Sequence, residues 1–308
     1  MVTALISHAV CRQHDMGPHH PERPARLTAI EDRLVADRVY DLLRHYEAPE
    51  VTRQQLERVH PASYIDEVER LAPLEGTVAI DPDTVMNPYT LAAARRAAGA
   101  AVLGVDLVMR GEVANAFCNV RPPGHHAENV VAMGFCFFNN IACAAAHALA
   151  EHGLSRVAVV DFDVHHGNGT EDIFRREDRV LFCSSFQHPF YPNTPIAQSN
   201  PRVVSVPLPA GTRGMEFREV VADCWLPALN RFEPELLLVS AGFDAHQDDP
   251  MADLNLTERD YEWITYELVA LAKRHAAGRI VSCLEGGYNL SALAGSASAH
   301  IKVLADLA

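Results

Sequence analysis

The segment Val157-Ala158-Val159-Val160-Asp161-Phe162-Asp163-Val164-His165-His166-Gly167-Asn168-Gly169-Thr170 runs from an apolar strand into a polar loop. Side chains alternate between the two faces of an extended chain, so Asp161, Asp163 and His165 can project to the same side. Buried carboxylates are costly unless they are paired or bind a metal. The segment therefore predicts that a metal site begins where this strand ends, with a helix cap or a surface turn as the alternative.

Other apolar runs resemble strands in the same way, and segments with helical periodicity lie between them. The strand-like runs span 3–7, 114–120, 156–163, 179–184, 202–206, 235–241 and 279–284. The clearest helical periodicity spans 88–110, 138–151, 257–276 and 291–307. This alternation is typical of an α/β protein with a mostly parallel sheet between two helix layers. Because no linker interrupts the pattern, we expect one domain over residues 1–308.

Composition limits the class of protein. The chain has 308 residues and a formal net charge of -14, which argues against nucleic-acid binding. Its apolar runs are shorter than the roughly 20 residues of a membrane span, and its start does not resemble a signal peptide, so we expect no membrane association and a cytoplasmic location. Its seven cysteines lack Cys-x-x-Cys spacing, which predicts reduced core thiols rather than disulfides or a zinc ribbon.

The longest irregular segments are rich in Pro, Gly, Asp and His. They lie around 9–24, 71–87, 121–134, 185–200 and 242–256. Loops of this length in a compact domain are usually functional. Several of them follow predicted strands directly, and open α/β folds bind ligands at the carboxyl edge of the sheet. We therefore expect their polar side chains to meet at that edge.

Adjacent histidines follow the strand that ends at Val120. In Arg121-Pro122-Pro123-Gly124-His125-His126, two prolines and a glycine fix the backbone just before the pair. Two oriented imidazoles can act as acid and base near neutral pH. For the dipeptide alone, an exposed turn would be the favoured interpretation.

A third potential ligand follows the strand Leu236–Ser240, in Ala241-Gly242-Phe243-Asp244. With Asp163 and His165, Asp244 makes a set of two carboxylates and one imidazole. Such a set leaves a position open for water and substrate, as catalytic zinc requires. Asp248 and Asp249 lie further into the same loop, and we expect turn or capping roles for them.

The strand that ends at Leu284 continues as Glu285-Gly286-Gly287-Tyr288. Paired glycines allow a sharp turn, which could aim the Tyr288 phenol at the metal. The phenol could then donate a hydrogen bond to a carbonyl oxygen that becomes an oxyanion.

Five motifs together closely resemble the histone deacetylase superfamily, in the expected order and spacing over nearly the whole chain. They span 121–126, 134–140, 161–170, 241–250 and 285–288. The resemblance is nearest to the class II-like bacterial amidohydrolases of the arginase-deacetylase fold. It implies a hydrolase that removes acyl groups from amines, with zinc bound by Asp163, His165 and Asp244.

The resemblance also implies roles for the remaining motif residues. His125 and His126 would flank the zinc-bound water, and Tyr288 would polarise the amide carbonyl. Asp161 would lie behind His125. A structural potassium ion would be held by backbone carbonyls of Asp161, Asp163 and His165, with Ser184 beside it.

The substrate-binding residues that the resemblance implies surround a narrow channel. Phe135 and Tyr191 match an aromatic pair that grips an alkyl chain, and Gly134 is placed at the substrate beside Phe135, although Phe135 would also fit a plain core position. Asp83 resembles a rim aspartate that fixes a peptide backbone, with turn formation in Asp81-Pro82-Asp83 as a competing role. Arg26 corresponds to an arginine near the inner acetate exit.

Three departures from the family pattern stand out. Asn168 occupies a position where class I members carry an aspartate, and asparagine is the class II-like choice. Phe186 replaces a histidine common in relatives, and Asn193-Thr194-Pro195 replaces a glycine-flanked turn. The last two leave the shape of the loop 185–200, and with it the role of Tyr191, open.

The first functional expectation is a zinc-dependent deacylase acting on acyl-lysine or a related small acyl-amine. An acetylpolyamine deacetylase is the alternative, but Met251 stands where the vertebrate enzymes place a gatekeeper glutamate. A catalytically silent metal-holding protein and an arginase-like manganese enzyme are further alternatives. The filled catalytic positions argue against the former, and the single Asp-x-Asp-x-His arrangement with tandem histidines argues against the latter. The oligomeric state stays open.

Overall fold

The central sheet of the computed structural model has eight strands, and every neighbouring pair in it is parallel. The structure describes residues 2–194 and 200–308. The strands are β1 (Thr3–Ser7), β2 (Arg44–Glu47), β3 (Val78–Ala79), β4 (Val85–Met86), β5 (Asn115–Cys118), β6 (Val157–Asp161), β7 (Val180–Gln187), β8 (Val203–Leu208), β9 (Leu236–Ala241) and β10 (Ile280–Leu284). The sheet order is β2-β1-β5-β10-β9-β6-β7-β8, while β3 and β4 form a separate antiparallel pair.

Helices cover both faces of the sheet. They are α1 (Ala25–Ala36), α2 (Arg53–Leu56), α3 (Ala62–Leu71), α4 (Thr90–Met109), α5 (Asn140–Glu151), α6 (Asn168–Phe174), α7 (Gly214–Phe232), α8 (Glu258–His275) and α9 (Leu290–Leu304). Adjacent residues of β5 show the two sides: Ala116 faces Gly104 of α4, whereas the Phe117 ring lies 5.8 Å from the His300 ring of α9. Three layers therefore follow directly from strand alternation.

Burial on both faces explains the composition of the central strands. All residues of β6 are buried, as are all residues of β5, β9 and β10. A strand covered on both faces gains from apolar side chains at every position, so it shows a continuous apolar run instead of alternation. Charged side chains occur where these strands end.

Five neighbouring strands, β5, β10, β9, β6 and β7, deliver the polar loops to one edge of the sheet. Asp161, the last residue of β6, is in register with Ser240 of β9 and with Ser184 of β7. Leu284 of β10 is in register with Ala241 of β9. The residues that follow these positions are thus brought together by strand pairing.

The seven predicted strands and four predicted helices are present, with shifted ends. Among the strands, the largest shift is in β7, which continues to Gln187 because its pairing with β8 extends to Leu208. The irregular segment predicted from residue 185 therefore begins at His188. Elements that the apolar pattern did not indicate are β2, the β3–β4 pair and the helices α1, α2, α3, α6 and α7.

The cysteines agree with the prediction of core thiols. In the described part of the chain all seven are unpaired, and six are buried, with Cys224 exposed. No helix within residues 2–194 and 200–308 is long and apolar enough to cross a membrane.

Candidate active site

Asp163, His165 and Asp244 meet at the carboxyl edge of the sheet, as predicted. One ligand atom from each lies within 4.8 Å of the others. His165 Nδ1 is 3.0 Å from Asp163 Oδ1 and 3.2 Å from Asp244 Oδ2. The three side chains are buried, so the loops after β6 and β9 converge on one point shielded from bulk water.

The donor set fits a divalent cation. Asp244 Oδ2 is buried and accepts no hydrogen bond from any described residue. Burial would lower the pKa of His165, but its contacts with Asp163 and Asp244 raise it to about 10. Burial and the nearby Asp163 charge raise the pKa of Asp244 to about 6. Two buried carboxylates lie beside a single imidazole, and a bound cation would balance their negative charge. Two oxygen ligands and one nitrogen ligand suit zinc.

Backbone amides hold the two carboxylates in place. Val164 N donates to Asp244 Oδ1 at 2.9 Å, and Gly286 N donates to Asp163 Oδ2 at 2.8 Å. A Cβ at Gly286 would lie 1.9 Å from Asp244 Oδ2, so only glycine lets the loop after β10 approach the ligands. The sequence indicated a turn at Gly286-Gly287, and the close approach to Asp244 explains why position 286 is glycine.

The two adjacent histidines are each oriented by a partner on Nδ1. His125 Nδ1 lies 2.9 Å from Asp161 Oδ2, and His126 Nδ1 lies 2.7 Å from Asn168 Oδ1. Their ring centroids are 4.1 Å apart. Burial would lower the pKa of His125, but Asp161 and Asp163 hold it well above its usual range.

His126 has the opposite electrostatic character. Burial, followed by the neighbouring His125 and His165, holds the pKa of His126 well below its usual range. The neutral amide of Asn168 does not offset this. The pair therefore combines an imidazole that favours the charged form, His125, with one that stays neutral and can accept a proton, His126.

Glu285 supports the histidine pair, a role that the sequence did not reveal. Its Oε2 accepts hydrogen bonds from the backbone nitrogens of Gly124 at 2.7 Å and His125 at 3.2 Å, and Ser240 Oγ donates to Oε1 at 3.1 Å. Full burial raises the pKa of Glu285 to about 7. A charged residue directly after an apolar strand was the available signal.

A pocket of about 180 Å³ leads from the surface to these groups. Five of the residues predicted to contact substrate line it: Asp83, Gly134, Phe135, Tyr191 and Met251. The predicted catalytic residues His125, His126 and Tyr288 line it as well, together with the predicted ligand His165. Pro123, Phe190 and Gly286 also line it and had not been assigned to its wall.

Aromatic rings form most of the pocket wall. The Tyr191 ring packs edge-on against His126 at 5.3 Å, and the Phe135 ring packs edge-on against Tyr288 at 6.1 Å. Phe190 stacks on His165 at 5.4 Å. Phe135 is thus a pocket residue and not part of the main core, and Tyr191 reaches the pocket despite the altered loop sequence.

Asp83 and Met251 lie at the pocket mouth. The turn before Asp83 is formed by Asp81, whose Oδ1 accepts hydrogen bonds from the backbone nitrogens of Asp83 at 2.9 Å and Thr84 at 2.6 Å. The Asp83 side chain lines the pocket instead. Met251 is half-buried on the same wall and offers no charge.

Arg26 and Asp249 support the Tyr288 loop. Arg26 is fully buried and lies behind the pocket wall formed by the described residues: Nε donates to Gly287 O at 2.7 Å, and its guanidinium lies 5.0 Å from the Tyr288 ring centroid. Asp249 Oδ2 accepts from the backbone nitrogens of Tyr288 at 2.7 Å and Asn289 at 3.1 Å. The turn role expected for Asp249 thus extends to a different loop.

The remaining departures from the family pattern have clear positions. Phe186 lies inside β7, and its ring packs against His166 at 4.5 Å. Asn193 has a positive φ of 60°. Pro195, the last residue of the altered turn, lies outside the described residues.

A second group of potential ligands, Asp106, His147 and His152, lies where α4 and α5 end. Both imidazole Nε2 atoms lie 2.8 Å from the same oxygen, Asp106 Oδ1. Arg58 donates to His147 Nδ1 at 3.0 Å, and because a guanidinium only donates, the His147 proton must sit on Nε2. This tautomer favours the hydrogen bond to Asp106 over metal binding.

An all-parallel α/β sheet with carboxylate and imidazole ligands at the base of a pocket defines the class of a metal-dependent hydrolase. Comparison with known proteins agrees. The family model described as histone deacetylase domain matches residues 20–304. A histone deacetylase-like amidohydrolase of Pseudomonas aeruginosa is 36% identical over 311 residues, covering 93% of this chain and 82% of that protein.

Two further relatives extend the comparison. The human protein named polyamine deacetylase HDAC10 is 38% identical over 304 residues, which cover 92% of this chain and 44% of that protein. The solved structure of the HDA15 HD domain superposes with a TM-score of 0.93 at 36% identity, covering 99% of this chain and 90% of that one.

The chain belongs to the histone deacetylase family. The predicted arginase-deacetylase fold is confirmed by the structural match. Because the family consists of zinc-dependent deacetylases, the expectation of a zinc-dependent amidohydrolase is confirmed at the level of the family.

Proposed function

We propose that this protein hydrolyses the amide bond of acyl-lysine or a related small acyl-amine. The observation that carries the proposal is the oriented pair of His125 and His126 beside the ligand group at the inner end of an aromatic pocket. A narrow apolar channel suits an alkyl chain that places an acyl group next to these imidazoles.

In the mechanism, Asp163, His165 and Asp244 would hold zinc. When bound, zinc supplies a Lewis acid that polarises the acyl carbonyl and lowers the pKa of a water molecule. His126, whose Nδ1 is engaged by Asn168, keeps Nε2 available to accept the proton of the attacking water. It then returns that proton to the leaving amine nitrogen.

Tyr288 and His125 stabilise charge in this scheme. The Tyr288 hydroxyl donates a hydrogen bond to the carbonyl oxygen as negative charge develops there. His125, held by Asp161, favours the protonated form and adds positive charge beside the reaction centre. Asp161 and Asn168 therefore act by orienting the two rings.

The pocket walls support an acyl-lysine substrate. Phe135, Tyr191 and Gly134 would enclose the alkyl chain. The Asp83 carboxylate at the mouth can accept a hydrogen bond from a backbone N–H of a peptide substrate. Arg26, which lies behind Tyr288, would place a positive charge near the inner end of the channel. Met251 offers no charge partner to the secondary ammonium of a polyamine, which favours lysyl substrates over acetylpolyamines.

We also propose a structural potassium ion beside the end of β6. Backbone carbonyls of Asp161, Asp163 and His165 would bind it, with Ser184 completing the set. The Ser184 hydroxyl supports this proposal, because it is buried and has no hydrogen-bond partner in the described part of the chain. Potassium should raise the melting temperature of the protein more than sodium does, and Ser184→Ala should reduce the difference.

The whole chain, residues 1–308, would form one catalytic domain, since the sheet uses strands from both ends of the sequence. A cytoplasmic location and the absence of nucleic-acid partners remain predictions from the sequence.

The test is a comparison of kcat/KM values for an acetyl-lysine peptide, an acetylated polyamine and a longer acyl-lysine peptide. Zinc removal by a chelator should abolish hydrolysis, and zinc addition should restore it. We expect the lysyl peptides to be preferred. Zinc-dependent turnover of the polyamine alone would overturn the substrate assignment, and absence of amide hydrolysis by the zinc-loaded protein would overturn the proposed function.

A further inference from the structure

We infer that Glu128 is a positioning residue that fixes the amide orientation of Asn168 and, through it, the tautomer of His126. The inference rests on the proposed function, in which His126 accepts a proton. Glu128 lies outside the motif residues to which the sequence assigned roles, and its carboxylate does not line the pocket defined by the described residues.

The contacts form a short chain from Glu128 to the imidazole. Asn168 Nδ2 donates to Glu128 Oε1 at 2.8 Å and points to Met133 Sδ at 3.4 Å. On the other side, Asn168 Oδ1 lies 2.7 Å from His126 Nδ1. Asn168 is 3% exposed, so water does not compete strongly for either end of its amide.

Hydrogen-bond chemistry makes this orientation the only consistent one. A carboxylate and a thioether accept hydrogen bonds and do not donate them, so both face the NH₂ end of the Asn168 amide. The oxygen of the amide must then face His126, whose Nδ1 carries the proton. The lone pair is left on Nε2, the atom that must accept a proton in catalysis.

The backbone around Asn168 is held close to the histidine pair. Gly169 N and Thr170 N both donate to His125 O, at 3.0 and 3.3 Å. A Cβ at Gly169 would lie 2.2 Å from Ala127 O, so glycine is needed for this approach. The segment carrying Glu128 and the first turn of α6 are thus packed together, which keeps the Asn168 side chain within reach of both Glu128 and His126.

Glu128→Lys tests the inference by reversing the preference of the amide. An ammonium only donates, so it should turn Asn168 Oδ1 away from His126 and present NH₂ to Nδ1 instead. The proton would then move to Nε2, which can no longer accept one. We expect kcat to fall by about a hundredfold or more, because a catalytic histidine in the wrong tautomer loses most of its activity.

Rescue separates positioning from a structural role. In Glu128→Lys combined with Asn168→Asp, both oxygens of the new carboxylate are acceptors, so one can face His126 Nδ1 while the other pairs with the lysine. We therefore expect kcat to recover at least tenfold over Glu128→Lys. Glu128→Gln can still accept from Asn168 Nδ2 and should keep kcat within about threefold of wild type. Glu128→Ala should fall between Gln and Lys.

The direct readout is the ¹⁵N NMR shift of both His126 ring nitrogens in the zinc-loaded protein, which reports the tautomer without substrate. Val130→Lys adds a positive charge to an exposed position of the same loop and is the control. An unchanged His126 tautomer in a folded Glu128→Lys protein, or no recovery in the double variant, would overturn the inference. If Glu128→Lys does not fold, the decision rests on Glu128→Ala, in which a His126 tautomer population and a kcat equal to those of Glu128→Gln would overturn the inference. If the wild-type protein cleaves no acyl amide, the proposed function is rejected. The tautomer of His126 can still be measured in that case, so the two failures are distinguishable.

Discussion

Asp249 is hydrogen-bonded to the backbone nitrogen of Tyr288 at 2.7 Å, although the two residues belong to loops that follow different strands. Asp249 Oδ1 also accepts from Met251 N at 3.0 Å. One buried carboxylate therefore joins the loop of the predicted metal ligand Asp244 to the loop of the predicted catalytic phenol.

This relationship predicts that Asp249→Asn lowers kcat about tenfold or more while zinc content stays at the wild-type level. Asp249 accepts backbone N–H groups on both oxygens, so an amide NH₂ would oppose at least one donor and displace the Tyr288 loop. Asp248→Asn is the matched control, because the Asp248 side chain is 64% exposed. Equal kcat values for the two variants would show that the contact does not position Tyr288.

Removing a ligand should remove the metal. We expect Asp244→Ala to lose both zinc and hydrolysis, because two remaining ligands do not hold zinc tightly. Elemental analysis of the purified variant measures this. Asp106→Ala, in the second group of potential ligands, should keep one zinc per chain. Stoichiometric zinc in a folded Asp244→Ala protein would show that the ligand assignment is wrong.

Tyr288→Phe should bind zinc and substrate normally but turn over slowly. The hydroxyl matters when charge develops on the carbonyl oxygen, and loss of one such donor costs about 10²–10³ in kcat. Single-turnover kinetics with an acetyl-lysine peptide would separate the chemical step from binding. A wild-type kcat would exclude Tyr288 from the mechanism.

A charge at Met251 should change substrate preference. Met251→Glu places a carboxylate at the pocket mouth, where pairing with a secondary ammonium is worth up to about 1 kcal/mol, or roughly fivefold. We expect the ratio of kcat/KM for acetylated polyamine over acetyl-lysine peptide to rise by up to that factor. Met251→Gln, similar in size but uncharged, should leave the ratio unchanged, and equal ratios for both variants would contradict the entrance role.

The acidic limb of the pH profile should respond to charge behind His126. Burial, followed by the neighbouring His125 and His165, holds the pKa of His126 well below its usual range, which favours a neutral base in the wild type. An aspartate at position 168 would favour the imidazolium and raise that pKa. Because the base must be neutral, the acidic limb of kcat/KM should then move to higher pH.

For this measurement, Glu128→Gln combined with Asn168→Asp is compared with Glu128→Gln alone, since Glu128 lies within hydrogen-bond distance of Asn168. The substitution at 128 avoids two adjacent carboxylates. A limb that stays in place or moves to lower pH would show that residue 168 does not act on the base.

The buried strands were predictable from sequence because burial on both faces leaves a continuous apolar run. By contrast, β2 has three exposed residues out of four at the sheet edge, so its pairing with β1 leaves no apolar signal. Helix α7 contains Pro227, which argues locally against a helix even though tertiary packing maintains one.

The ligand and histidine assignments were predictable for a related reason, since each of these residues lies in a polar loop that begins where an apolar strand ends. The supporting contacts of Glu285, Asp249 and Glu128 were not. Each depends on hydrogen bonds between segments far apart in the chain, such as Glu285 to Gly124. Spacing along one strand carries no information about such contacts.

Residues 244–251 of the loop after β9 combine three roles: Asp244 is a predicted ligand, Asp249 accepts a hydrogen bond from the Tyr288 backbone, and Met251 lines the pocket mouth. Insertions in this loop that enlarge the mouth for new substrates would therefore also shift the proposed metal site and the Tyr288 phenol. Library design for altered selectivity should vary Asp83 first, because it reaches the same mouth without bonds to the Tyr288 loop among the described contacts. Natural diversification of substrate range in this architecture faces the same constraint, so new specificity acquired through the loop after β9 would need compensating changes around Asp249.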